Sequence, residues 1–149
     1  MYDRAPCGPG GERFAVAIPS DVARIEGVVE TVVARCAARD YPRRACALNL
    51  PVALTEALAN AIVNGNGEDS AKRVEVRGCV DDRELVIEVH DEGPGFDLAG
   101  RTNRPGDPGF AEREDGRGLF LMQTLMDRVE QYAAPDRGNV VRLTLRRKA

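Results

Sequence analysis

Three short groups of residues stand along this 149-residue chain at spacings that suit chemistry. Glu56, Asn60 and Asn64 lie at intervals of four in an otherwise apolar segment. Residues 91–96 read Asp-Glu-Gly-Pro-Gly-Phe, and residues 116–121 read Gly-Arg-Gly-Leu-Phe-Leu at the start of a second apolar segment. Together they supply a carboxylate, an oxygen ligand of the kind magnesium prefers, an acidic hydrogen-bond acceptor and an anion-binding helix start. In this order they predict a nucleotide site of the kind that holds ATP.

The first group forms one polar stripe on a predicted helix, because residues four apart share a helix face. Residues 50–63 contain one charged side chain, Glu56, whereas a solvated helix face carries several charges. The narrow stripe therefore favours a functional role over an ordinary solvent face. Asn60 is the predicted magnesium ligand. Glu56, one turn earlier, is the predicted base for a hydroxyl or water beside that metal.

The other two groups each have a structural and a functional interpretation. Gly-Pro-Gly after Asp91 forms tight turns in many proteins, but the Asp91 carboxylate could also accept a hydrogen bond from the exocyclic amine of adenine. A helix that opens at Gly116 offers free amides and a dipole to a phosphate, while close packing is the competing reason for its glycines. The segment is neither the dinucleotide fingerprint nor a Walker A loop.

The order of the three groups resembles the GHKL ATPase/kinase superfamily. Residues 54–61 look like its asparagine box, and residues 91–96 and 116–119 look like its two glycine boxes. The resemblance covers about residues 12–147 and is strongest to the small bacterial anti-sigma-factor serine/threonine kinases. It implies an α/β fold: a single-domain, two-layer sandwich of the Bergerat type. The sheet would be mixed and largely antiparallel, with the helices on one face.

The resemblance also implies ATP and Mg²⁺ as cofactors. Glu56 would be the catalytic base and Asn60 the metal ligand. The nucleotide-binding candidates are Asn60, Asn64, Asp91, Gly93, Gly95, Phe96, Arg113, Gly116, Arg117, Gly118, Leu119 and Thr144. The family often has a basic side chain, frequently His, where this chain has Asn64. Loss of that charge would weaken phosphate binding or turnover, and Arg113 or Arg117 is a candidate to supply it.

The implied partners are a sigma factor, which such proteins hold inactive, and a serine-bearing anti-anti-sigma protein of the STAS type, which they phosphorylate, commonly as homodimers. An alternative is a nucleotide-binding anti-sigma switch with little or no kinase turnover; Glu56 favours the kinase and Asn64 the switch. A histidine-kinase catalytic domain is disfavoured, because the only histidine, His90, lies in a predicted strand beside Asp91. An ATPase of the chaperone or topoisomerase type would need further domains.

Composition excludes several other classes. With 24 acidic and 21 basic residues the net charge is -3, which leaves no field to attract a nucleic-acid backbone. We expect no membrane span, because no apolar run approaches the ~20 residues that one requires. With no signal-like N-terminus either, a cytoplasmic location is expected. Zinc is not expected, and the four cysteines are predicted to be reduced thiols: Cys7, Cys36, Cys46 and Cys79.

Hydrophobic periodicity and turn residues predict one domain over residues 12–149 after a disordered tail at residues 1–11. We expect a strand ending at Pro19, a helix capped by Ser20 or Asp21, and a second helix from about Leu50 to Asn64. A hairpin should follow, with strands at residues 72–80 and 84–90, and then a lid between the two glycine boxes at residues 97–115. A third helix at residues 116–126 and two last strands at residues 128–133 and 139–146 should complete the domain.

Overall fold

The computed structural model describes residues 7–93, 114–133 and 138–148, and for residues 114–117 the backbone alone. The strands are β1 (Glu12–Pro19), β2 (Arg73–Val80), β3 (Glu84–His90), β4 (Arg128–Ala133) and β5 (Asn139–Arg146). The helices are α1 (Ile25–Ala37), α2 (Leu50–Asn60) and α3 (Glu114–Leu125). The predicted lid lies outside the described residues except for its last two positions.

One five-stranded sheet organises the domain, in the order β1-β2-β3-β5-β4 with antiparallel pairing at each described junction. Alternation along β3 separates its faces: Leu85, Ile87 and Val89 join the core with the three helices, while Glu88 and His90 lie on the other face. The helices therefore cover one face of the sheet. The predicted two-layer α/β sandwich is confirmed.

The helix that carries the polar stripe begins earlier than its sequence suggests. A π-helical segment, Ala45–Asn49, precedes α2, and a second, Ala61–Gly65, continues it. Pro51 has no N–H, and its ring would clash with a carbonyl four residues back in a regular α-helix. The wider π turn before it, closed by the Leu50 N–H on the Ala45 carbonyl, lets the helix continue through the proline. The predicted start near Leu50 matches the start of α2 itself, and the π-helical segment before it was not predicted.

Ala45–Gly65, taken as one helix, is long and apolar enough by length and composition to cross a membrane. The expectation that no apolar run approaches that length is therefore wrong. Four of its large apolar side chains, however, are fully buried in the domain core, namely Leu50, Leu54, Leu58 and Ile62, while Leu48 and Val63 are exposed. The apolar stretch is accounted for by the domain core.

Residues 7–11, included above in a disordered tail, are held in place. Cys7 forms a disulfide with Cys79 of β2, with a Cα–Cα distance of 5.6 Å. The Gly8 N–H donates to Asp81 Oδ2 at 3.1 Å, and a side chain at Gly11 would strike both sulfur atoms. The prediction of reduced thiols is wrong for this pair, because spacing along the chain does not show which cysteines the sheet brings together. Cys36 and Cys46 are free.

Reduction of this disulfide should destabilise the domain. The bond joins cysteines 72 positions apart, and in the chain-entropy account a loop of that size contributes about 4.4 kcal/mol to the free energy of unfolding. Urea denaturation of the parent and of Cys7→Ser, each with and without dithiothreitol, measures the effect. The free energies of unfolding of the two proteins should differ only without reductant. Equal parental stability in both conditions would contradict the prediction.

Candidate functional site

The predicted polar stripe lies at the C-terminal half of α2 and its π continuation. Asn60 is 7% exposed, while Glu56 and Asn64 are half-buried. Asn64 Nδ2 donates to Asn60 Oδ1 at 3.2 Å. Asn60 Nδ2 is buried and has no hydrogen-bond partner among the described residues. A buried polar atom of this kind calls for a ligand or water, so Asn60 is suited to a binding site.

The start of α3 packs directly on this stripe. A Cβ added at Gly118 would lie 2.8 Å from Glu56 Oε2 and 3.7 Å from Asn60 Nδ2. Any larger residue there would press on the carboxylate, so glycine permits the close approach of the two helices. Leu119, the next residue, is buried in the core and anchors α3. The structure thus places the second glycine group beside the predicted base and the predicted metal ligand.

Asp91 follows β3 and is held rigidly by the start of β5. Its Oδ1 accepts the backbone N–H of Gly93 at 2.9 Å and of Asn139 at 3.2 Å. Its backbone N–H donates to the Asn139 carbonyl, and its carbonyl accepts the Gly138 N–H. The side chain is 3% exposed. A carboxylate fixed in this way is preorganised to present its second oxygen to a ligand.

Burial raises the pKa of the Asp91 carboxyl, while the hydrogen bonds from the backbone of Asn139 and Gly93 oppose that rise. The shift shows that the fold bears a desolvation cost at this position. A donor group on a ligand would offset part of that cost. A raised pKa in a buried carboxyl is a common mark of a functional position.

Asp91 lies against the end of the same helix that carries the stripe. A Cβ at Gly65 would lie 2.5 Å from Asp91 Cγ, and a Cβ at Gly93 would overlap the Gly65 carbonyl. Backbone therefore packs on backbone here, which only glycine allows. One continuous helix consequently contacts both glycine groups: Gly118 beside Glu56 and Asn60, and Asp91 beside Gly65.

The donor set fits a hard cation that completes its coordination with ligand oxygens. Within the described residues no group of three or more His, Cys, Asp or Glu side chains could enclose a metal. Magnesium keeps several waters and binds readily through one or two protein oxygens plus phosphate. Asn60 offers its amide oxygen, which has a lone pair beyond the one that Asn64 uses. Asn60 therefore suits Mg²⁺ held jointly with a phosphate.

Several predicted nucleotide-binding residues are not brought to this group. Thr144 pairs with Val86 across the sheet, whereas Val140 pairs with His90 next to Asp91. Thr144 is thus four positions along β5 from the Asp91 end, and its part in nucleotide binding stays a prediction. Gly95, Phe96 and Arg113 lie outside the described residues. Gly116 and Arg117 belong to the first turn of α3, where backbone amides lack helical partners.

Sequence reasoning missed Asn66, Gly138 and Asn139. The last two belong to the strand start that fixes Asp91. Residues 64–67 read Asn-Gly-Asn-Gly at the end of the predicted second helix, and asparagine in such a run is also typical of side-chain hydrogen bonds to backbone, a signal that could have identified Asn66. No signal in the sequence marks Gly138 or Asn139, because their role depends on strand register.

Comparison with known proteins agrees with this geometry. The profile of the histidine kinase-like ATPase domain family matches residues 18–145. The anti-sigma F factor of Caldanaerobacter subterraneus is 32% identical over 120 residues, which cover 80% of this chain and 83% of that protein. The anti-sigma F factor of Thermoanaerobacter pseudethanolicus is 31% identical with the same coverage. That of Clostridium perfringens is 31% identical over 62% of this chain and 67% of its own.

The resemblance inferred from the three groups of residues is thereby confirmed, since the family match includes all of them. The match also spans all three helices and the strands from β2 into β5, so it concerns the domain as a whole rather than isolated motifs. The chain therefore belongs to the histidine kinase-like ATPase domain family, and membership implies that it binds ATP.

Proposed function

We propose that this chain is an ATP- and Mg²⁺-dependent anti-sigma factor and protein serine/threonine kinase that phosphorylates a STAS-type anti-anti-sigma regulator. One observation carries the proposal: a single helix brings Glu56 and Asn60 against Gly118 and, at its end, Gly65 against Asp91. The relatives whose printed name is anti-sigma F factor support the choice of partner. The elements for base recognition, phosphate binding and proton transfer thus share one surface.

Each residue has a distinct task in this proposal. The Asp91 carboxylate accepts a hydrogen bond from the adenine amine, while amides at the start of α3 bind phosphate oxygens. Asn60 holds Mg²⁺, which when bound neutralises charge on the transferring phosphoryl group. Glu56 accepts the proton of the attacking serine hydroxyl as that oxygen forms its bond to phosphorus, and ADP leaves.

The proposal extends to assembly and location. Resemblance to the family favours a homodimer that acts in the cytoplasm, where it meets the sigma factor and the regulator. Disulfides in the cytosol are normally reduced, so the Cys7–Cys79 bond would be opened there and would re-form on oxidation. Light scattering on the reduced and oxidised protein tests the dimer under both conditions.

A second candidate function is a nucleotide-binding anti-sigma switch with little or no turnover. One contact favours it: Asn64 stands where a basic residue is frequent in the family, and its neutral amide donates to Asn60 Oδ1. Such a protein would bind ATP and capture a sigma factor without transferring phosphate.

Incubation with γ-labelled ATP and candidate serine-bearing regulators separates the two functions. We expect the label on a regulator serine in the presence of Mg²⁺ and its loss with EDTA, because the phosphates then lack their counterion. Replacing the regulator serine with alanine is the matched control. Sigma-factor capture and ATP binding without transfer would favour the switch. Absence of ATP binding would overturn both.

A further inference from the structure

Asn66 occupies the point where four parts of the domain meet. It follows the π continuation of α2, and its backbone N–H closes that segment on the Ala61 carbonyl at 2.8 Å. Its side chain is 3% exposed, and each of its polar atoms has a protein partner. The position of this side chain is therefore set by the helix that carries Glu56 and Asn60.

The Asn66 amide joins that helix to the end of β1, to the start of β2 and to the Asp91 loop. Its Nδ2 donates to Ser20 Oγ at 2.8 Å, after β1, and to the Arg73 carbonyl at 3.0 Å, at the start of β2. Its Oδ1 accepts the Glu92 N–H at 2.7 Å. The Ser20 hydroxyl gives its own proton to the Lys72 carbonyl at 2.8 Å, so its lone pair is available to Nδ2.

Chemistry fixes the orientation of this amide. Exchanging its nitrogen and oxygen would set a donor against the Glu92 N–H and an acceptor against the Arg73 carbonyl. The side chain therefore has one satisfactory arrangement. In it, the amide oxygen holds the backbone between Asp91 and Gly93.

Glu92 is held by hydrogen bonds through both its backbone N–H and its side-chain carboxylate. Its N–H is bound by Asn66 and its carboxylate accepts the Arg73 N–H, although the side chain itself is exposed. The neighbouring residues are pressed on Gly65, as the overlap of a Gly93 Cβ with the Gly65 carbonyl shows. Packing on Gly65 limits how close the loop approaches the helix, and the Asn66 hydrogen bond stops it from moving away.

We propose that Asn66 is a positioning residue that sets the distance between the Asp91 carboxylate and the helix bearing Asn60, and thereby the selectivity for adenine. The inference rests on the proposed function, because it assigns a consequence to ATP binding at that site. Asn66 does not touch the nucleotide; it acts through the Glu92 backbone. The base and the phosphates of one ATP molecule must fit Asp91 and Asn60 together, so a change in their separation weakens both contacts.

The test compares Asn66→Ala with Ser20→Ala. Asn66→Ala removes three hydrogen bonds from this buried network and Ser20→Ala removes two, so both should lower stability, but only the first releases the Glu92 N–H. Calorimetry with Mg-ATP and Mg-GTP should show about a tenfold loss of ATP affinity and a similar fall in the ATP/GTP preference for Asn66→Ala, the scale of one buried hydrogen bond. Ser20→Ala should keep the parental preference.

A conservative variant and an exchange measurement complete the test. Asn66→Asp keeps an acceptor for the Glu92 N–H but sets an oxygen against the Arg73 carbonyl, so it should lower stability and still retain most of the preference for ATP. In the parent without nucleotide, the Glu92 amide should be protected from hydrogen exchange, a readout that remains even where Asn66→Ala fails to fold.

The outcomes separate the two proposals. A parent that binds ATP no better than GTP overturns the proposed adenine site and this inference with it. A parent that prefers ATP, with Asn66→Ala keeping the same preference, overturns the role of Asn66 alone. Rapid exchange of the Glu92 amide in the parent overturns it equally.

Discussion

Replacing Glu56 with Gln is expected to lower the rate of phosphate transfer by about 10²–10⁴-fold, the usual contribution of a general base. Glutamine keeps the shape of the side chain beside Gly118 but cannot take up the proton of the serine hydroxyl. The affinity for Mg-ATP should change little, because Asn60, Asp91 and the amides of α3 hold the nucleotide. Single-turnover transfer from labelled ATP measures the rate, and calorimetry measures the affinity.

The matched control is Glu30→Gln, the same chemical change on the exposed face of α1. It should transfer phosphate at the parental rate. If Glu56→Gln does so as well, Glu56 is not the base, and the proton of the serine hydroxyl must go to another group.

The elements that could be predicted from the sequence are those whose own residues decide their structure. Alternation in residues 84–90 defines β3 because one face is buried by helices, and Asp21 marks a helix start because its side chain accepts the Ala23 N–H. The π-helical segment before Pro51 could not be predicted, since whether a proline begins a helix or follows a widened turn depends on the packing around it.

The site shows the same division. Glu56, Asn60 and Asp91 could be identified because their chemistry is carried by side-chain type and spacing. Asn139 could not, because it meets Asp91 only through the register of β5 on β3. Thr144 was included although that register places it away from Asp91. Contacts between distant parts of the chain, the Cys7–Cys79 bond among them, depend on the fold rather than on local pattern.

Replacing Asp91 with Asn should invert the choice of base. The variant keeps one oxygen for the N–H groups of Gly93 and Asn139, so the loop is expected to hold its shape. Its new amide nitrogen would face the adenine amine as donor against donor. In guanine the corresponding position is a carbonyl oxygen, to which that amide nitrogen can donate a hydrogen bond. The ATP affinity should fall about 100-fold, the scale of a lost hydrogen bond to a charged group plus an unpaired donor, and the GTP affinity should rise.

The same substitution should stabilise the protein without nucleotide, because the fold no longer buries a carboxylate. The raised pKa of Asp91 means that the folded parent holds this proton more tightly than the unfolded chain does. The stability that the protonated Asp91 carboxyl contributes is therefore lost as the pH rises from the ordinary pKa of 3.8 through the raised pKa. Asp91→Asn has no such titrating proton, so the excess of its free energy of unfolding over that of the parent should grow across that pH range.

Urea denaturation of both proteins at about pH 4 and pH 7 measures this difference, and calorimetry with Mg-ATP and Mg-GTP measures the change of base. The two results together are diagnostic, because a substitution that merely damaged the loop would lower stability and weaken both nucleotides. A variant that is more stable than the parent yet binds ATP poorly shows that Asp91 is retained at a cost to the fold for the sake of binding. An unchanged ratio of ATP to GTP affinity would remove Asp91 from the base-binding site.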